Sequence, residues 1–140
     1  MSKVAVVFWS GTGNTESMAE AVAEGAKAAG ADTSVFKASE FNRDKALEFD
    51  GIAFGCSAMG AENLEESEFE PMFTDTEPAL AGKKIALFGS YGWGDGQWMR
   101  DWEDRCETDG AVLTVESVMA NEAPSDRDLG MCRELGASLA

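Results

Sequence analysis

Short unbroken apolar runs alternate along this chain with stripes at helical spacing. Residues 3–9 (Lys3-Val4-Ala5-Val6-Val7-Phe8-Trp9), 51–56 and 83–89 are runs led by β-favouring side chains. Such runs suit strands buried on both faces of a parallel sheet. A Ser/Thr/Gly/Asn loop follows the first run. Residues 16–29 then place Met18, Val22, Ala26 and Ala29 one helical turn apart, with Gly30 where a C′ glycine belongs. Residues 32–37 predict a second strand and 44–49 a short helix. The run at 51–56 leads into a long loop, 57–66, and a helix beginning near Ser67 that Pro78 and Gly82 close off. The run at 83–89 leads into a second glycine-rich loop, 90–96. Residues 97–108 put Trp98, Trp102 and Cys106 on one stripe, which predicts a core-facing helix. Residues 112–120 predict a fifth strand running uninterrupted into Asn121-Glu122-Ala123-Pro124, and 126–139 the last helix.

Five strands alternating with helices imply right-handed crossovers and an α/β fold with helices on both faces of a parallel sheet. In such sheets ligands lie beyond the carboxyl ends of the strands, where strand order reverses. The loops after strands one, three and four are therefore the place for a site. At 140 residues, 1–140 is expected to be one domain. No apolar stretch approaches the ~18 residues of a membrane span, and the N-terminus lacks a signal-peptide core. A cytoplasmic, soluble protein starting at residue 1 or 2 is expected.

Composition narrows the chemistry. Histidine is absent, which removes His-based triads, His general bases and His-ligated metals. Cys56, Cys106 and Cys132 are far apart and odd in number, as expected of reduced, buried thiols rather than a disulfide framework. The net charge of −15 disfavours nucleic acid and anionic membranes and favours basic protein surfaces. Acidity alone does not separate such docking from simple solubility.

The first loop, Ser10-Gly11-Thr12-Gly13-Asn14-Thr15, packs hydroxyls and an amide around two glycines at a helix N-terminus. Inward-turned N–H groups and the helix end make a phosphate cradle of neutral dipoles. It lacks the P-loop lysine and the G-x-G-x-x-G spacing, so triphosphates and dinucleotides fit it worse. A capped tight turn, with Thr15 as the helix cap, is the plain structural alternative.

Phe8-Trp9-Ser10-Gly11-Thr12-Gly13-Asn14-Thr15-Glu16 resembles the phosphate-binding signature of flavodoxins. The resemblance continues through Gly55-Cys56-Ser57-Ala58-Met59-Gly60 and through residues 87–96, in order, over essentially the whole chain. It is to short-chain members, since the fifth strand carries no long-chain insertion. It implies a doubly wound three-layer sandwich with a five-stranded sheet in order 2-1-3-4-5. It also implies non-covalently bound FMN and one-electron transfer, mainly between neutral semiquinone and anionic hydroquinone. Ser10, Gly11, Thr12, Gly13, Asn14 and Thr15 would hold the phosphate. Ser57, Ala58, Met59, Gly60, Ala61 and Glu62 would lie along one flavin face, with Glu62 accepting from N3–H. Ser90, Tyr91, Gly92, Trp93 and Gly94 would line the other face and the pyrimidine edge.

In the family the peptide after Gly60 flips on reduction so that its carbonyl meets the new N5–H. A β-carbon at Ala61 would strain that turn by ~1 kcal/mol. Ala61→Gly or Ala61→Asn is then expected to raise the first potential by some tens of millivolts, which potentiometry would test. Partners implied are redox proteins with basic docking surfaces, such as ferredoxin-type donors and acceptors, with no nucleic acid or membrane and a monomeric carrier. Glu62, Glu65, Glu66, Glu68 and Glu70 crowd the flavin-facing segment and form either part of that docking surface or a merely solvated face. Trp9 is left between core and site rim.

An FMN-dependent quinone or nitro reductase of the same fold is the alternative, but the chain has no spare segment for a substrate pocket. A phospho-accepting receiver domain would need an aspartate where Cys56 stands and an acidic cluster where Ser10-Gly11-Thr12 stands.

Overall fold

The computed structural model describes residues 2–59 and 63–140. Within them the chain runs β1 (Lys3–Trp9), α1 (Asn14–Ala28), β2 (Asp32–Lys37), α2 (Arg43–Ala46), β3 (Gly51–Cys56), α3 (Phe69–Thr76), β4 (Lys84–Tyr91), α4 (Gln97–Thr108), β5 (Val112–Leu113), β6 (Val118–Asn121) and α5 (Asp126–Ala137). The strands form one parallel sheet in order β2-β1-β3-β4-β5, with β6 also paired to β4.

The unbroken apolar runs become the central strands because both their faces are covered. Alternation along β1 sends Ala5 and Val7 to one side and Val4, Val6 and Phe8 to the other. The first side joins Ile52, Phe54 and Leu87 to Phe69 and Phe73 of α3 and Trp98 and Trp102 of α4. Phe54 meets Phe73 at 5.1 Å and 83°, and Trp102 meets Phe69 at 5.3 Å and 87°, both edge-on contacts that aromatic quadrupoles favour. The second side packs Ala53, Ala86 and Phe88 against Met18, Val22 and Ala26 of α1 and Cys132 and Leu135 of α5. The Trp98, Trp102 and Cys106 stripe is fully buried, as its spacing predicts. On α1 the stripe stops at Ala26. Ala29 is exposed, and the chain turns at Gly30 (φ 95°), where the N–H of Ala31 reaches back to the Ala26 carbonyl.

Several boundaries move. Helix α1 begins at Asn14 with Gly13 as its N-cap (φ 93°), so Thr15 lies inside the first turn and is not the cap. Its side chain turns into the core instead. Helix α2 covers only residues 43–46, capped by the Asn42 side chain on the Lys45 N–H. The next N–H groups, of Glu48 and Phe49, bond three residues back, a tighter turn that brings Phe49 onto Phe36 and Phe41. Helix α3 starts at Phe69, two residues late, because the Glu65 side chain takes the amides of Ser67, Glu68 and Phe69. Helix α5 ends at Ala137.

The fifth strand is broken rather than continuous. Val112–Leu113 pairs with the start of β4 and Val118–Asn121 with its end. Between them Thr114 bonds the Ser138 hydroxyl (2.8 Å) and Ser117 donates to Glu103 (2.7 Å). The pairing with β6 carries β4 on to Tyr91, so Ser90 and Tyr91 are strand residues at the sheet edge and not loop.

Candidate functional site: a cleft at the carboxyl edge of the sheet

Three chain segments leave the carboxyl ends of β1, β3 and β4 and meet through one hydroxyl cluster. Thr15 Oγ1 lies 2.7 Å from Ser57 Oγ and 3.1 Å from Ser90 Oγ, and the two serine oxygens are 3.3 Å apart. Thr15 Oγ1 also accepts the Ser90 N–H (3.3 Å), and Thr15 is wholly buried. The Ala58 N–H donates to the Ser90 carbonyl at 3.0 Å, closing the second seam. Parallel neighbours in the sheet bring these residues together although up to 75 positions separate them in sequence.

Beside the cluster, the loop between β1 and α1 closes on itself. Ser10 Oγ accepts the Gly13 N–H (3.0 Å), and the first helical bond of α1 is Ser17 N–H to the Gly13 carbonyl (3.0 Å). The amides of Asn14, Thr15 and Glu16, like those of any first turn, have no carbonyl four residues back and face outward as anion donors. Gly11 lies close under Trp9: a β-carbon there would come within 3.1 Å of the Trp9 ring, which would have to give by a few tenths of an ångström.

A cleft of about 470 Å³ opens over these groups, lined by Trp9, Gly11, Thr12, Asn14, Ser57, Ala58, Met59, Ser90, Tyr91, Gly92 and Glu122. Met59 is 37% exposed and is held by a two-way bridge to Asn63 (2.8 Å each way). Gly60, Ala61 and Glu62 lie outside the described residues. Ser10, Gly13 and Thr15 underlie the cleft without being among its lining residues. Trp93 is 63% exposed on the loop after Gly92 and does not line it. Gly94 turns that loop at φ 90°.

Two lining residues fall outside the sequence-derived set. Trp9 is rim rather than core, with its Nε1 donating to Glu68 Oε1 at 3.2 Å. Glu122 is the one non-glycine at positive φ (59°) among the described residues, with its N–H on the Tyr91 carbonyl at 2.7 Å. A left-handed glutamate costs ~1 kcal/mol. Nothing in its residue type signalled that turn, which Gly, Asn or Asp would have.

Charge around the cleft is negative and uneven. No lysine or arginine is among the lining residues. Lys37 shares a separate depression of about 370 Å³ with Ser10, where Glu16 and Glu68 oppose it. The acidic segment does not act as one face. Glu66 and Glu68 are exposed, but Glu70 is paired with Arg105 (2.7 Å), and Glu65 is buried, so Glu65 is no docking residue. Burial opposes ionisation of Glu65, yet the Ser67 hydroxyl and the amides of Phe69, Ser67 and Glu68 hold its carboxyl at about 2. Burial pushes the thiols of Cys56, Cys106 and Cys132 up to about 12, so they stay protonated and unreactive. Among the described residues, no cluster of three or more metal-ligating side chains occurs, and no helix is long and apolar enough to cross a membrane.

This is a doubly wound α/β protein whose cleft, beside a glycine- and hydroxyl-rich loop, is lined by aromatic and thioether side chains and no cation. The family model for flavodoxin matches residues 6–136. The chain is 47% identical to the flavodoxin of Clostridium beijerinckii over 135 residues, covering 96% of this chain and 97% of that one. It is likewise 47% identical to the flavodoxin of Megasphaera elsdenii over 137 residues, covering 98% of each. The solution structure of two-electron reduced Megasphaera elsdenii flavodoxin superposes with a TM-score of 0.89 over 97% of both chains. The chain belongs to the flavodoxin family, whose members are FMN-binding electron-transfer flavoproteins. The residues present fit that cofactor: the loop offers hydroxyls and first-turn amides that could receive a phosphate, and Trp9, Met59 and Tyr91 line the cleft beside it.

Proposed function

We propose that this chain holds FMN non-covalently in the cleft and carries single electrons between redox proteins, working mainly on the lower of two one-electron couples. Bound there, FMN supplies the redox chemistry, and the protein's residues bind it, orient it and set the energy of each charge state. Ser10, Thr12, Asn14, Thr15 and Ser57, with the amides of Gly11 and of the first turn of α1, hold the phosphate. Met59 and the aromatic residues Tyr91 and Trp93 flank the ring, with the backbone of Ala58, Ser90, Gly92 and Gly94 along its edges. Gly60, Ala61 and Glu62 complete the N5 and N3 side of the same reading. A cleft without a lysine or arginine in its lining, inside a domain of charge −15, disfavours a second negative charge on the ring. That keeps the lower couple low. Partners are then basic surfaces engaged transiently, through exposed acids such as Glu66 and Glu68.

The observation that supports this reading is the Thr15–Ser57–Ser90 hydroxyl cluster, which ties the starts of three chain segments together at one edge of the sheet. The test is a comparison of FMN with riboflavin, which lacks the phosphate, by quenching of flavin fluorescence. One FMN per chain, held at least a hundredfold tighter than riboflavin, is expected. Equal affinities would overturn the assignment.

A further inference from the structure

In so acidic a chain, carboxylates belong in water, yet Glu65 is only 7% exposed. Its Oε1 accepts the N–H groups of Glu68 (2.7 Å) and Phe69 (3.0 Å), and its Oε2 accepts the Ser67 N–H (2.8 Å) and the Ser67 hydroxyl. Its own N–H donates to Cys56 Sγ (3.4 Å), and its carbonyl accepts from the Glu70 N–H (2.8 Å). One residue therefore grips the end of β3 and the first turn of α3 together.

Each end of that grip reaches a lining residue of the cleft, Met59 from the β3 side and Trp9 from the α3 side. Cys56 leads directly into Ser57, Ala58 and Met59, and Met59 is bridged to Asn63, two residues before Glu65. Glu68, whose N–H the carboxylate holds, accepts the Trp9 indole N–H, and Trp9 packs on Gly11 of the phosphate loop. We propose that Glu65 is a positioning residue of the cleft: it sets Met59 and Trp9 against the phosphate cradle. It thereby governs how tightly FMN is held and how far apart the two one-electron couples lie. This rests on the FMN reading above. It assigns the carboxylate an internal role in place of a docking one.

Free flavin barely separates its two couples, so the protein's grip on the ring creates the gap, and a loosened wall narrows it from the upper side. Holoprotein carrying Glu65→Gln or Glu65→Ala is expected to bind FMN about tenfold more weakly. Its upper couple should fall by a comparable factor, and tenfold corresponds to ~59 mV for one electron. Glu66→Gln, which removes an exposed neighbouring charge, should leave the FMN Kd and the upper couple at wild-type values. If Glu65→Ala does not fold, Glu65→Gln carries the test, since its amide oxygen still caps two of the amides. Two results would overturn the proposal. One is a Glu65 variant that melts earlier but keeps both couples and the Kd. The other is a shift confined to the lower couple and equal to that of Glu66→Gln, which is a charge effect alone. A wild-type protein that binds no FMN, or shows one unresolved two-electron wave, would overturn the FMN reading itself and this inference with it.

Discussion

Thr15→Val probes the hydroxyl cluster with little change of volume. Thr15 Oγ1 is the hub: it makes the two shorter contacts, at 2.7 and 3.1 Å, and accepts the Ser90 N–H, whereas Ser57 and Ser90 are 3.3 Å apart. Valine leaves the Ser90 N–H without its acceptor and reduces two serine hydroxyls to one long contact. A buried polar group stripped of its partner costs ~1–3 kcal/mol, so the apoprotein should lose about 2 kcal/mol. With a urea slope of ~1–3 kcal/mol per molar, the midpoint falls by roughly 1 M. Phosphate binding loses a charge-assisted donor as well, worth ~1.5–3 kcal/mol, or about a ten- to hundredfold rise in the FMN Kd. Riboflavin binding should barely change, and Thr15→Ser, which keeps the hydroxyl, should recover most of both losses. An unchanged urea midpoint in Thr15→Val, or equal losses for FMN and riboflavin, would refute the reasoning.

Three further outcomes follow from packing and charge. A β-carbon on Gly25 would sit 1.9 Å from the Arg133 carbonyl oxygen, so α1 and α5 must part by roughly 1.5 Å to restore a contact near 3.5 Å. Gly25→Ala should therefore destabilise by ~1–3 kcal/mol in urea titration, despite the ~1 kcal/mol that alanine gains over glycine in a helix. Asp109 Oδ2 has no hydrogen-bond donor among the described residues, and burial together with the Glu77 carboxylate raises its carboxyl to about 6. The folded state then keeps a proton that the unfolded state releases near 3.8, so stability falls as pH rises between those values. Asp109→Asn should match wild type near pH 4 and exceed it at pH 7 in thermal melts. Glu65 works in the opposite sense. Its carboxyl is depressed from 4.5 to about 2, so its contribution is complete above 4.5 and disappears as pH falls toward 2. Acid titration of Glu65→Gln should show a flatter loss of stability over that window than wild type.

The parallel sheet was legible because β1, β3 and β4 are unbroken apolar runs, and only a strand covered on both faces needs such a run; the strand order came from the resemblance of the loop motifs. The Trp98–Trp102–Cys106 stripe was legible for the equivalent reason on a helix. Boundaries set by single side chains were not. Asn42 starts α2 at residue 43, a tighter turn at Glu48 and Phe49 ends it early, Glu65 delays α3, and the β6 pairing carries β4 to Tyr91, all through contacts made only once the fold exists. At the break, residues 114–117, Thr114 and Ser117 find side-chain partners at the C-cap of α5 and on α4, 24 and 14 residues away. At the site, the glycine and hydroxyl loops announced themselves by composition. Trp9 did not, since an aromatic ending a strand suits core and rim equally. Glu65 read as one acid among several, because burial is a property of the tertiary structure.

The central claim is that the three loops make a one-electron FMN site, and a reductive titration of the holoprotein followed by absorbance tests it most directly. A yellow protein should pass through a half-reduced form absorbing at long wavelength, in two separated one-electron steps. Direct bleaching from oxidised to fully reduced flavin, with no such form at any stage, would contradict it.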